Sequence, residues 1–273
     1  MKIGLFTDNH SSGLEKKFAE KMQDVDLILF TGDLVEHSTK EKIYKALIPF
    51  CELGIPFYAI PGNYEKPRIW HDICDYLTEN HPNFVNAAKK QVCKFENFNL
   101  VFIPGTEKSH FNGEAFKVTV DNLLDLIKQV ENLNNILLIT HEPPKQDYKT
   151  GTDVGVQAKS TLDDAVLYGE DIKKVIDSGL YKVEYVNQGN KKIRAFIDRL
   201  NIKFVFSGHM HKACNAVNYI GKRIKENTFT DSLYFNPGAA KDGWFGLVDI
   251  EEVNGILQAK YQRKILFDVT SYD

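Results

Sequence analysis

Five short, almost unbroken apolar runs recur along this chain of 273 residues, at 2–7, 25–31, 56–60, 135–140 and 203–207. Runs of that length with little alternation are typical of strands covered on both faces. Helical spacing separates several of them. Leu14, Phe18 and Met22 share one face, Ile43, Leu47 and Cys51 a second, and Val120, Leu123, Leu124 and Ile127 a third. Ser38 or Thr39 is placed to cap the second helix, ahead of Glu41 and Lys42. Strands alternating with helices build βαβ units and a mostly parallel sheet.

Past residue 212 the texture changes: 213–221, 232–236, 245–250 and 256–264 read as strands joined by short turns. That predicts a second, more antiparallel sheet. Residues 84–104 also read as strands. The polar, Gly- and Thr-rich segment 142–189 fits neither pattern and reads as a long loop, of the kind usually found functional or disordered. With no internal repeat and no low-complexity linker, the expectation is a single α/β domain over 1–273, two sheets with helices outside.

A net charge of -3, from 34 basic and 37 acidic residues, argues against a surface built mainly for nucleic acid. Lys89-Lys90 and Lys191-Lys192 are short and read as solvated charge. Cys51, Cys74, Cys93 and Cys214 form no C-x-x-C pair and read as free thiols in a reducing compartment. No signal peptide is visible, and no apolar run approaches the ~20 residues of a membrane span. A soluble, cytoplasmic protein is expected.

The residues that follow the five runs carry the chemistry. They are Asp8-Asn9-His10, Gly32-Asp33, Gly62-Asn63, His141 and Gly208-His209-Met210-His211. In open α/β sheets, ligands bind at the carboxyl edge of the strands. Taken singly, each is an ordinary turn or structural residue. Taken together they are not, because four of the chain's eight histidines fall at these ends. Imidazole with carboxylate suits Zn, Mn and Fe. Seven such ligands exceed the needs of one ion and suit two ions sharing a carboxylate.

D-x-H, G-D, G-N, a lone His and G-H-x-H, in that order, resemble the calcineurin-like metallophosphoesterase superfamily. IRAFIDRLNIKFVFSGHMH at 193–211 and YFNPGA at 234–239 resemble its closing helix, strand and N-P-G turn. The resemblance covers most of 1–141 and 190–250, is weak over 142–189 and is absent from the last twenty residues. It implies a βαβαβ sandwich of two mixed sheets flanked by helices. It also implies a dinuclear-metal-dependent hydrolysis of phosphate esters by a metal-bridging hydroxide. Asp8, His10 and His211 would hold one ion, and Asn63, His141 and His209 the other. Asp33 would bridge them, and Mn, Fe, Zn, Ni and Co all fit such a set. Asp33, Asn63, Tyr64 and His141 form the implied catalytic group.

One position departs from the family. Its motif reads G-N-H and then an acid, and that His binds phosphate and assists the leaving group. Here Gly62-Asn63-Tyr64-Glu65 keeps the acid and replaces the His. Tyrosine, with a pKa near 10, is a neutral donor at pH 7 and a poor general acid. Family members with this replacement resemble the bacterial and archaeal phosphodiesterase type, so small phosphodiesters or nucleotides are the expected substrates. His37 and His110 are candidates for a substitute proton donor, and Arg68 for a phosphate contact; His71 and His81 are given no role. The alternatives are a nuclease of the same superfamily and a non-catalytic metal-binding scaffold. The 142–189 insertion, which starts beside His141, is expected to wall the substrate side.

Overall fold

The structure, a computed structural model, describes residues 1–107, 115–163, 165–168 and 170–267. The first sheet combines β1 (Lys2–Phe6), β2 (Leu27–Phe30), β3 (Phe57–Ala59) and β4 (Phe84–Asn86). The second contains β5 (Val92–Phe95), β6 (Phe98–Ile103) and β7 (Ile136–Thr140). A third, small sheet is made of β8 (Val154–Ser160), β9 (Val166–Tyr168) and β10 (Tyr181–Asn187). β11 (Phe204–Phe206), β12 (Ala216–Val217) and β13 (Leu233–Phe235) join the second sheet; β14 (Trp244–Val253) and β15 (Ile256–Ile265) join the first. The helices are α1 (Glu15–Lys21), α2 (Lys40–Cys51), α3 (Pro67–Asn80), α4 (Val120–Val130), α5 (Glu170–Val175) and α6 (Lys191–Leu200).

The two six-stranded sheets run β15-β14-β1-β2-β3-β4 and β12-β13-β11-β7-β6-β5. β1 to β4 are parallel, as are β13, β11, β7 and β6. The period-two alternation of each strand sorts the core into layers. Ile3, Leu5, Leu27, Leu29, Tyr58 and Ile60 face Leu100, Phe102, Leu137, Ile139, Phe204 and Phe206 between the sheets. Phe6, Ile28, Phe30, Phe57 and Ala59 turn outward onto α1, α2 and α3. Val101, Ile103, Leu138 and Val205 turn onto α4 and α6 on the far side. The result is the two-sheet sandwich with outer helices that the motif order implied. Because the central strands are parallel, their carboxyl ends gather at one rim.

Three expectations need correction. The carboxy-terminal strands do not form a sheet of their own. β12 and β13 extend the second sheet, and β14 pairs antiparallel with β1 from Lys2↔Asp249 to Leu5↔Gly246. Without β14, the buried strand β1 would present an unpaired row of amides and carbonyls, so the returning chain covers that edge. Segment 142–189 is not one loop, because β8, β9 and β10 fold there as an antiparallel sheet ordered β10-β8-β9. Val154, Val156 and Ala158 alternate with Gly155, Gln157 and Lys159, and Tyr181, Val183 and Tyr185 with Lys182 and Glu184, but these short strands sit among polar, Gly- and Thr-rich turns. On α4, Leu123, Leu126, Ile127 and Val130 are buried, whereas Val120 and Leu124 are 52% and 50% exposed. The i, i+3, i+4, i+7 stripe starts at Leu123.

Thr39 is the helix cap: its Oγ1 accepts from the Lys42 amide at 3.3 Å. Ser38 accepts instead from the Lys66 amide at 3.0 Å. Cys51, Cys74 and Cys93 are buried free thiols and Cys214 is half-buried. Among the described residues no helix is long and apolar enough to cross a membrane.

Candidate metal centre

Three of the five strand ends deliver side chains through a backbone held unusually. Asp8, His10, Asp33 and His209 all have positive φ, at 53°, 48°, 57° and 65°. Asp and His tolerate this region better than most residues, yet each such residue still carries strain on the order of 1 kcal/mol. Four strained residues at one rim mark a place where the fold is held for chemistry rather than for packing. Two glycines are there for close approach. A Cβ on Gly62 would lie 2.1 Å from Asp33 Oδ1 and 2.7 Å from His141 Nε2. A Cβ on Gly208 would lie 1.8 Å from Thr7 Oγ1 and 2.8 Å from Asp8 Oδ2.

The side chains converge in two groups, Asp8 with His10 and His211, and Asp33 with His141 and His209. His10 Nε2 lies 3.1 Å from His211 Nε2, and His211 Nε2 lies 3.3 Å from Asp8 Oδ1. Asp33 Oδ2 sits 3.3 Å from His141 Nε2 and 3.9 Å from His10 Nε2, so one carboxylate oxygen reaches toward both groups. Asn63 Oδ1 lies 3.1 Å from His141 Nε2. Asp8, Asp33, Asn63 and His141 are essentially without solvent exposure. All seven strand-end residues read from the sequence therefore meet in one place.

The surroundings fix these groups. His141 Nδ1–H donates to the Thr31 carbonyl at 2.8 Å, which leaves Nε2 aimed at Asp33 and Asn63. Asp8 Oδ2 accepts from the Thr7 hydroxyl at 2.8 Å and the His209 amide at 2.9 Å. Asn236, in the N-P-G turn, donates to the Gly208 and Met210 carbonyls at 3.1 Å each and braces the G-H-M-H loop.

Glu65 is the residue whose role the sequence did not reveal. Its Oε1 accepts from the Leu34 and Val35 amides at 2.7 and 3.1 Å. Its Oε2 accepts from Gly62 and Asp33 at 2.7 and 3.2 Å. One buried carboxylate thus ties the loop after β2 to the loop after β3. The only signal was an acid beside a G-N turn. Glu142 does a similar task farther out, accepting from the Glu107 amide and the Asn190 side chain at 2.7 Å each.

Electrostatics follow from burying so many charges together. Burial opposes ionisation of Asp8, but His211, His141 and His10 outweigh it and hold its carboxyl well below the usual range. Asp33 is lowered in the same way, against burial, chiefly by His141. Burial disfavours a charged His141, yet Asp33 and Asp8 raise that ring to about 9. His209 is pushed down to about 4 by burial and by His141. Burial and the Asp33 charge lift Glu65 to about 7, against the amides that favour its carboxylate.

The donor set fits divalent cations. Asp8 Oδ1 is buried with no hydrogen-bond partner. His10 Nε2 and His211 Nε2 lie 3.1 Å apart beside Asp8 Oδ1, so in the tautomers protonated at Nδ1 both would turn a lone pair toward a shared cation. Carboxylate, imidazole and amide oxygen together are ligands for Mn, Fe, Co, Ni or Zn.

The other sequence candidates divide. Tyr64 belongs to the site: its amide donates to Asp33 Oδ1 at 3.1 Å, and its ring stands edge-on to His10 at 4.8 Å between centroids. Arg68 and His37 are exposed, Arg68 in the first turn of α3 beside Asp72. His110 lies outside the described residues. His71, given no role, contacts Asn86 at 3.3 Å and Phe116 edge-on.

The family model for calcineurin-like phosphoesterases matches residues 1–213. An uncharacterized protein of Methanocaldococcus jannaschii is 26% identical over 257 residues, covering 93% of this chain and 98% of its own. A probable glycerophosphodiester phosphodiesterase of Arcobacter nitrofigilis is 30% identical over 128 residues, 44% of this chain and 42% of its own. A 3',5'-cyclic-nucleotide phosphodiesterase of Nostoc is 23% identical over 223 residues, 80% of this chain and 69% of its own. The fold is shared with a crystal structure from Thermus thermophilus at TM-score 0.61 and 13% identity, covering 97% of this chain and 99% of that one.

Proposed function

We propose that this chain, which belongs to the calcineurin-like phosphoesterase family, is a dinuclear metal-dependent phosphodiesterase acting on small phosphodiesters. Asp8, His10 and His211 would hold one divalent ion and Asn63, His141 and His209 the other, with Asp33 placed to serve both. The observation that carries the reading is Asp33 Oδ2, set between His141 and His10 at 3.3 and 3.9 Å. A carboxylate oxygen facing both groups is what a pair of adjacent ions requires. When bound, such a pair supplies Lewis acidity to a phosphoryl group and lowers the pKa of water.

The chain's own residues set the rest. His141 is locked by Thr31, Asp8 by Thr7 and the His209 amide, and Glu65 holds two of the loops in register. The ligands therefore need little reorganisation. Tyr64 adds no positive charge where the family's histidine could. A dianionic monoester depends on such a charge more than a monoanionic diester does, since two unit charges ~4 Å apart interact by roughly 4 kcal/mol at an effective dielectric near 20, an upper guide. Two relatives bearing phosphodiesterase names point the same way. Residues 142–189, which leave the site directly after His141, wall the substrate side of what is one domain.

The test is a pair of rates with added Mn, one on an aryl phosphodiester and one on the matching monoester. The diester is expected to be the faster substrate. A strong preference for the monoester would contradict the reading of Tyr64.

A further inference from the structure

The small sheet ends in an exposed edge. β10 is its outer strand, and among the described residues nothing pairs with its far side. Register tells which groups face outward. The Thr161 amide donates to the Leu180 carbonyl and the Gln188 amide to the Asp153 carbonyl, each at 2.8 Å. In an antiparallel ladder, alternate residues bond to the same neighbour. The even-numbered residues of β10 therefore face β8, and the amides and carbonyls of Tyr181, Val183, Tyr185 and Asn187 point away from it. The Asn187 carbonyl is taken by the Lys145 ammonium. The stretch left open is Tyr181-Lys182-Val183-Glu184-Tyr185.

That stretch is self-complementary. Run antiparallel to a copy of itself about Val183, it sets Tyr181 opposite Tyr185, Val183 opposite Val183, and Lys182 opposite Glu184, twice. The outward bonding groups at 181, 183 and 185 are the ones this register uses. Lys182 and Glu184 already attract one another within the strand, at 3.2 Å, and would exchange partners across the pair. Aromatic and opposite-charge cross-strand pairs both stabilise such ladders. The neighbourhood is apolar as well. Leu162 is 76% exposed and Tyr185 74%, with Leu180 and Val183 partly exposed beside them.

We propose that two copies of this chain associate through β10, antiparallel about a two-fold axis at Val183, joining their small sheets into one. An isologous contact of this kind closes after two copies and uses up the β10 edge of both. The contact does not depend on the hydrolytic reading of the metal centre.

Sedimentation equilibrium of the full chain tests it. Wild type is expected to be a dimer. Lys182→Glu and Glu184→Lys each set like charges opposite twice and are expected to weaken association by about tenfold or more. The double reversal K182E/E184K restores the pairing and the dimer. An equimolar mixture of the two single variants forms a heterodimer. Val183→Pro removes an outward amide that β8 does not use, so it is expected to yield a monomer with unchanged far-UV circular dichroism. A wild-type chain that stays monomeric over the accessible concentration range would overturn the proposal. So would a dimer that Val183→Pro and both single reversals leave intact.

Discussion

Tyr64 shares its amide with Asp33 and its ring edge with His10, so a change there acts on the centre directly. Replacing it with His introduces an imidazole able to donate a proton near neutral pH, and a positioned acid is typically worth about 10²–10⁴ in rate. Tyr64→His is expected to raise monoester turnover relative to diester turnover by roughly tenfold or more, toward the low end of that range because the site did not evolve around it. An unchanged ratio of the two rates would show that Tyr64 does not set the preference. Glu65 is the complementary case. Glu65→Gln turns one accepting oxygen into an amide nitrogen facing two backbone donors, and each buried donor left unpaired costs about 1–3 kcal/mol. The variant is expected to lower the melting temperature by several degrees and to weaken metal binding together with it. A variant as stable as wild type would refute the role of Glu65 as a tie between loops. At this scale the sequence was legible where residue types were chemically out of place. Asp and His at the ends of apolar strands stand out, and all seven converge. Glu65 did not stand out, because its four partners come from two loops about thirty residues apart and exist only once those loops meet.

The elements that carry the site are parallel strands with both faces buried, and their uninterrupted apolar runs gave them away. All five were located to within two residues at either end. The later strands were visible as strands, but their sheets were not. β14 pairs with β1 from the opposite end of the chain, and nothing local in either strand names its partner. β8 and β10 do alternate, as Val-Gly-Val-Gln-Ala-Lys and Tyr-Lys-Val-Glu-Tyr, but each is short and set among polar turns rich in Gly and Thr, so the segment as a whole reads as loop. These strands also offer a test of the substrate-side role proposed for 142–189. Asp153 and Gln188 are hydrogen-bonded neighbours at 2.8 Å, so 154–187 can be replaced by a short Gly-Ser turn without moving either end. The shortened chain is expected to keep its metals and to change the ratio of rates among diesters of different size. Selectivity identical to wild type would remove 154–187 from the substrate side.

Across the whole molecule, two sheets meet face to face and bring the carboxyl ends of five strands to one rim. The cost of that convergence is visible as left-handed backbone at four of the seven residues and as carboxylates and imidazoles buried together. Nothing in the hydrophobic packing requires such an arrangement, and bound cations would relieve it. The direct measurement is metal content per chain after reconstitution with Mn, for wild type and Asp33→Ala, alongside hydrolysis of an aryl phosphodiester. The expected result is two ions per wild-type chain, at most one in Asp33→Ala, and hydrolysis that chelation abolishes and Mn restores. A wild-type chain that binds a single ion, or one that hydrolyses the diester at full rate after chelation, would contradict a shared, Asp33-linked pair of metals.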